Sequence, residues 1–204
     1  MSSRTLITDA STDPVTLAEL TAEIVGYVQS TANDAVVTTK IAEATRWLQE
    51  YTSRQFIQAT HLQAYDDWPD EIIPHIQPLV SVTSIKYYDE DAVQQTVSST
   101  LYWTDIYNIP PRIKFKPDTF TYPTLESDRP SAIEVRYVAG YTNAAAVPYV
   151  AKQAIKLLAK YWWEKREAAD VPNSQAPAAQ TPTYGEIPFG VFSIANAINA
   201  SGYT

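Results

Sequence analysis

The chain has 204 residues and a formal net charge of −8, from 15 Lys+Arg against 23 Asp+Glu. That length fills one domain, or one domain with an appendage, and 45% hydrophobic against 19% charged residues excludes a disordered body. The absence of cysteine excludes disulfides, iron–sulfur clusters, Cys-bearing zinc sites and thiol nucleophiles, and the acidic balance argues against a protein that coats nucleic acid.

Residues 1–15 read as an extended polar arm. Thr16-Leu17-Ala18-Glu19 then has the form of a capping box, and Leu17, Leu20, Ile24 and Val28 follow at helical spacing, so a helix is expected over about 16–29. A second helix is expected over 34–52, with Asn33 or Asp34 as its cap and Val37, Ile41, Ala44, Leu48 and Tyr51 on one face. From 60 to 138 the pattern changes to short β-branched or aromatic runs punctuated by Asp, Pro, Ser and Asn. Strands are expected at 60–65, 71–76, 84–88, 94–97, 112–115 and 132–138. The trio Asp89-Glu90-Asp91 reads as a solvated turn, because the oxygen-rich spacing of a calcium loop is absent.

A third helix is expected over 148–168, with Pro148 in its first turn and Val150, Ala154, Leu158, Tyr161 and Trp162 on its buried stripe. Lys152, Lys156 and Lys160 stand at strict i, i+4 spacing on its solvent side. They read either as a solvated face or as a basic stripe aimed at a polyanion. Residues 170–204 read as a Pro-rich linker followed by an apolar patch of Ile187, Phe189, Val191, Phe192 and Ile194, a tethered tail that docks on another chain. The fold class expected is α+β: a mainly helical body of three principal helices, an inserted antiparallel β region and an extended C-terminal tail.

Catalytic constellations do not rise above background. His61 and His75 sit where structural histidines sit. Asp66/Asp67 and Asp70/Glu71 lie in a polar loop beside Trp68, where nothing suggests the burial that raises a carboxyl pKa. Five glycines leave no phosphate-cradling loop. No enzyme, cofactor or metal is expected. The aromatics Tyr102, Trp103, Tyr107, Phe120 and Tyr122 fit a subunit interface; sugar stacking is the other use of such residues. No apolar run reaches membrane-spanning length and MSSRTLITDASTD lacks a signal-peptide core, so the expectation is a protein made in a cytoplasm and kept there or in a particle assembled there.

Several segments together resemble one family. Pro14–Leu20 is similar to its opening P-V-S-L-A-E-A, 50–57 (EYTSRQFI) to E-x-Y-T-G-R-x-L-I, and 78–89 (PLVSVTSIKYYD) to P-V-x-S-V-x-S-V-x-Y-x-D. Residues 135–141 (VRYVAGY) resemble V-x-F-x-A-G-Y. Val147-Pro148, 153–158 (QAIKLL) and 162–167 (WWEKRE) resemble its closing helix. The family is that of the head–tail connectors, or adaptors, of tailed double-stranded DNA bacteriophages and gene-transfer agents. The turn after Asp89 lacks the family's Gly, and the chain ends IANAINASGYT where the family ends L-L-x-x-Y-R. The resemblance implies a structural virion protein of the neck, assembled in a bacterial cytoplasm and associated with DNA packaging. It implies a ring, typically dodecameric, bound beneath the portal protein and above a head-closure or tail-terminator protein, with double-stranded DNA passing through the lumen in transient contact. No membrane is implied. In that setting Lys152, Lys156 and Lys160 are candidates for a lumen face, and the apolar tail for docking on the portal or on a neighbouring subunit. A head-closure or tail-completion protein is the alternative, and a carbohydrate-binding tail module a more distant one.

Overall fold

The computed structural model describes residues 2–169 and 187–201. It divides into two units: one takes the chain up to Ser11 together with Ser53–Asn143, the other Thr12–Thr52 together with the chain from Ala144 onward. The tail segment 170–186 and the last three residues lie outside the described residues.

The first unit is all β. Strands β1 (Ser2–Thr8), β2 (Ala59–Tyr65), β3 (Glu71–Ile72), β4 (Leu79–Tyr88), β5 (Gln94–Val97), β6 (Tyr102–Asp105), β7 (Arg112–Phe115) and β8 (Ile133–Ala139) form two sheets. Five strands pair in the order β1-β2-β8-β4-β5 and three in the order β3-β7-β6, every pairing antiparallel. Alternation in β8 sends Ile133, Val135, Tyr137 and Ala139 inward, and β7 does the same with Ile113 and Phe115. These side chains, with Ile72, Ile85 and Val97, make one core shared by both sheets.

The chain can turn sharply after β8 only with glycine. Gly140 has φ +114°, and a Cβ built there would stand 2.8 Å from the carbonyl carbon and oxygen of Ile57.

The second unit is helical: α1 (Leu17–Thr21), α2 (Thr31–Thr52), α3 (Tyr149–Ala169) and α4 (Phe189–Ser201). Its core joins Leu20 and Ile24 to Val37, Ile41, Ala44 and Leu48 of α2 and to Ala154, Ile155, Leu158 and Trp163 of α3. Val191, Ala195 and Ile198 of α4 are buried in the same unit.

This corrects the expected fold class. Among the described residues there are eight strands and four α-helices, so the body is not a mainly helical one with three principal helices. Three physical causes account for the difference. First, β1 is exposed over residues 3–8, as an edge strand with neither face covered there, so it shows no alternation; it lies inside the expected polar arm. Second, β4 is interrupted by register shifts between Leu79 and Ser81 and between Val82 and Ser84, which scramble the period-two signal of its first half. Third, the hydrophobic stretch expected as an extended tail is helix α4, because Val191, Ala195 and Ile198 recur at helical spacing. The first helix is also shorter than 16–29. Beyond Thr21 only Ile24 is buried, and the chain turns at Gly26 with φ +75°.

Candidate interaction surfaces

In the helical unit, the lysine row meets a matching row of acids. Thr16 accepts the Glu19 amide on its hydroxyl, and Glu19 Oε2 accepts the Thr16 amide at 2.7 Å, completing the capping box. The other oxygen of Glu19 lies 2.9 Å from Lys152 Nζ. Glu23 takes Lys156 on its carboxylate, while Lys160 donates to the Glu23 carbonyl at 2.9 Å. Glu19 and Glu23 repeat at i, i+4, as do Lys152 and Lys156, so the two rows are in register. The Thr16 amide bond and then Lys152 hold the Glu19 carboxyl down at about 2. The side chains of Lys152 and Lys156 are only 18% and 13% exposed. The face expected to look into solvent or a lumen is therefore covered by this unit's own acids. The spacing of Glu19 and Glu23 was the available signal, and it is visible only once the two segments are known to be neighbours.

The apolar C-terminal patch is divided. Val191 is 1% exposed and packs within its own unit. Phe192 lies edge-on to Trp47 and Tyr51, with ring centroids 5.7 Å away in each case. Tyr51 also donates its hydroxyl to Asn196 at 2.9 Å. Ile187 and Ile194 are half-buried, and Phe189 stands 87% exposed at the start of α4. Phe189 is the member of the patch left exposed.

The five candidate interface aromatics also separate. Tyr102 and Phe120 are buried: Phe120 stacks on Phe115 at 4.4 Å, and Trp68 meets both rings edge-on at 5.4 Å. They pack in the core of the β unit, because β6 and the segment after β7 turn these rings inward. Trp103 is 54% exposed, Tyr107 89% exposed, and Tyr122 half exposed. Tyr107 sits on a braced loop. Asp105 Oδ1 accepts the amides of Tyr107 and Asn108 at 3.2 and 3.3 Å, and Asn108 returns its side-chain amide to Oδ2. These bonds to Asp105, led by the Asn108 side chain, lower its carboxyl pKa and keep it ionised. Ile106 and Ile109 are exposed on the same loop, and Ile109 precedes a cis-proline. Beside the loop, Arg112 and Lys114 face outward from β7, with Trp103 opposite Lys114 in the ladder. Lys116 stands 5.6 Å from the Trp103 ring centroid.

Two further features involve residues that the sequence reads as structural or solvated. A cleft of about 630 Å³ runs past Trp68, Pro123 and Leu125 and is rimmed by Asp66, Asp67, Glu126 and Asp128, with Arg129 bound to Glu126 at 2.6 Å. The DDW run was the legible hint. The other is His61 of β2, 5% exposed, with neither ring nitrogen hydrogen-bonded among the described residues. Burial, followed by the nearby Arg4, lowers its pKa to about 4. His61 therefore stays neutral at ordinary pH. The Asp66 carboxyl is likewise lowered, by the Ser131 amide at 2.8 Å. No group of His, Asp and Glu among the described residues is arranged to hold a metal ion. No helix among them is long and apolar enough to cross a membrane.

No family model and no curated protein matches the chain. Solved structures do. The chain resembles one in the virion of a native gene transfer agent particle, with TM-score 0.70, 20% identity, and coverage of 95% of this chain and 93% of that one. It resembles a chain in the neck of the empty particle computed with C6 symmetry, with TM-score 0.69, 21% identity, and coverage of 96% and 94%. It also resembles one in the neck of the native particle computed with C12 symmetry, with TM-score 0.61, 20% identity, and coverage of 96% and 93%. At these identities the likeness is one of fold: the β unit and the helical unit together follow, over nearly their whole length, the fold of chains found in gene transfer agent particles.

Proposed function

We propose that the chain is a structural subunit of a virion neck, a head–tail connector of the adaptor type that forms a ring under the portal and lets DNA pass. The observation that carries this is the near full-length fold likeness to chains of gene transfer agent virions and necks. Ring formation is supported by the C6 and C12 symmetry of those neck reconstructions. Exposed aromatics on a braced loop suit repeated subunit contacts, which close when the rotation per subunit closes. The partners in this reading are the portal protein above and a head-closure or tail-terminator protein below. Phe189 is the C-terminal side chain offered to them. Passing DNA meets a chain of net charge −8 whose α3 lysines already hold carboxylates, a surface that does not grip phosphate.

The test is electron microscopy of particles from a producing strain, with the chain carrying an internal epitope. Label at the head–tail junction, and particles lacking joined tails when the gene is removed, are the expected results. Label at the tail tip, or particles that contain none of the chain, overturns the reading.

A further inference from the structure

The β unit carries two surfaces of opposite character, one on the outward side of β7 and one at the cleft beside Trp68. Alternation in β7 sends Phe115 inward, where its ring meets Trp68 at 5.4 Å, and sends Arg112 and Lys114 outward. Next to those cations, the Asp105-braced loop holds Tyr107 almost wholly in solvent. Arg112 lies 3.6 Å from Asp105 and 3.9 Å from Glu71 and is neutralised by them, so the cation this face presents is the exposed Lys114. On the far side of Phe115, Trp68 walls the cleft of about 630 Å³, whose rim carries Asp67 and Asp128. One surface is exposed and aromatic, with Lys114 as its free-standing cation. The other is concave, with an indole wall and an acidic rim.

We propose that these two surfaces are the two halves of one interface between copies of this chain: the Tyr107 loop and Lys114 of one copy dock in the Trp68 cleft of the next. The proposal rests on the neck-ring reading and names the contact that would build the ring. Charge complementarity favours a second copy as occupant: the exposed Lys114 beside the Tyr107 loop and a recess with four carboxylates against one arginine lie on the same unit of one chain. Because the halves are different patches, each docking leaves a free projection and a free cleft, which is the head-to-tail arrangement a ring requires. Tyr107 supplies the anchor, a rigid amphipathic side chain whose phenol has room in the cleft.

The natural chain contains no cysteine, so single engineered thiols report the contact without background. Ile106→Cys places one thiol on the loop and Ser127→Cys places one on the cleft wall. Oxidising an equimolar mixture of the two full-length variants should give the covalent heterodimer as the main product. Either variant paired with Arg46→Cys, a control on α2 whose side chain is 81% exposed, should react only at the rate of random collision. Adding Lys114→Glu to the loop chain should cut heterodimer yield by about tenfold, and adding Asp67→Lys to the cleft chain should restore it. Tyr107→Ser, which leaves the charge unchanged, should cut it independently. Heterodimer formation no faster than the control, or indifference to both Lys114→Glu and Tyr107→Ser, overturns the interface. The neck reading is tested separately by the particle label: label in the neck without cross-linking sinks this contact alone, and cross-linking without neck label sinks the neck reading alone.

Discussion

Lys152 Nζ stands 2.9 Å from Glu19 Oε1, and the second oxygen of that carboxylate accepts the Thr16 amide. One side chain therefore caps α1 and ties it to α3. A lysine row that looks solvated on a helical wheel is instead a clasp between two segments of the helical unit.

Reversing the clasp should cost stability. From sequence alone, Lys152, Lys156 and Lys160 appear replaceable by Glu at up to about 0.5 kcal/mol each. With Glu19 and Glu23 opposite, reversal converts attraction to repulsion, and a loss of about 1 kcal/mol per reversed pair is expected. Urea unfolding of the triple variant at low and high salt checks this. The deficit should shrink as salt screens the repulsion. An unchanged midpoint would return the row to a solvated face.

The last helix should be needed for the helical unit to keep its stability. Val191 is buried to 1% exposure beside Ala195 and Ile198, so Val191→Asp places a carboxylate in an apolar site. A loss of about 3 kcal/mol is expected, read as a lower midpoint in thermal or urea unfolding. Phe189→Ala, at an exposed position, should leave the midpoint within about 0.5 kcal/mol of the wild type.

His61 should make stability depend on pH above the range where carboxylates titrate. Its pKa falls from 6.5 in the unfolded chain to about 4 in the folded one. The unfolded state therefore binds the extra proton between those values. The neutral ring costs nothing above pH 6.5, and stability declines as pH falls from 6.5 toward 4, by about 3 kcal/mol over the whole interval. The charged groups that act on it are Arg4, which lowers the pKa, and Asp9, which raises it. In His61→Leu the slope of unfolding free energy between pH 6.5 and 5 should flatten. An identical slope in both proteins would show that His61 does not carry it.

Gly140→Ala should fail severely. The new Cβ would meet backbone atoms of Ile57 at 2.8 Å, where no flexible side chain can yield, and φ +114° is strained for any L-residue. A loss of about 3 kcal/mol or more is expected, seen as insoluble protein or a lowered melting midpoint. Gly26→Ala is the contrast. Its φ is also positive, but a Cβ there meets nothing within 4 Å, so the cost is limited to backbone strain of about 1 kcal/mol.

Much of the architecture was legible where a periodic pattern coincided with burial on one side. The helices around Ile41 and Leu158 and the strand through Ile133, Val135 and Tyr137 announce themselves, because each buries one face of a regular element. The capping box at Thr16 and Glu19 was equally plain, since it is local: both partners lie within three residues. Composition alone excluded cysteine chemistry.

What only the tertiary structure decided concerns partners far apart in the chain. Whether Lys152 faces solvent or Glu19 depends on a chain separation of 133 residues being closed by the fold, and a helical wheel carries no such information. Whether Tyr102 and Phe120 serve a core or an interface depends on the small sheet packing them against Trp68, while the neighbouring Trp103 and Tyr107 stay outside. Strand β1 was hidden because its order comes from backbone pairing with β2, which is indifferent to side-chain pattern. Sequence determines what each segment can bury. Only the assembled fold decides which segment supplies the other half of each contact, because desolvation and charge pairing depend on distance in space.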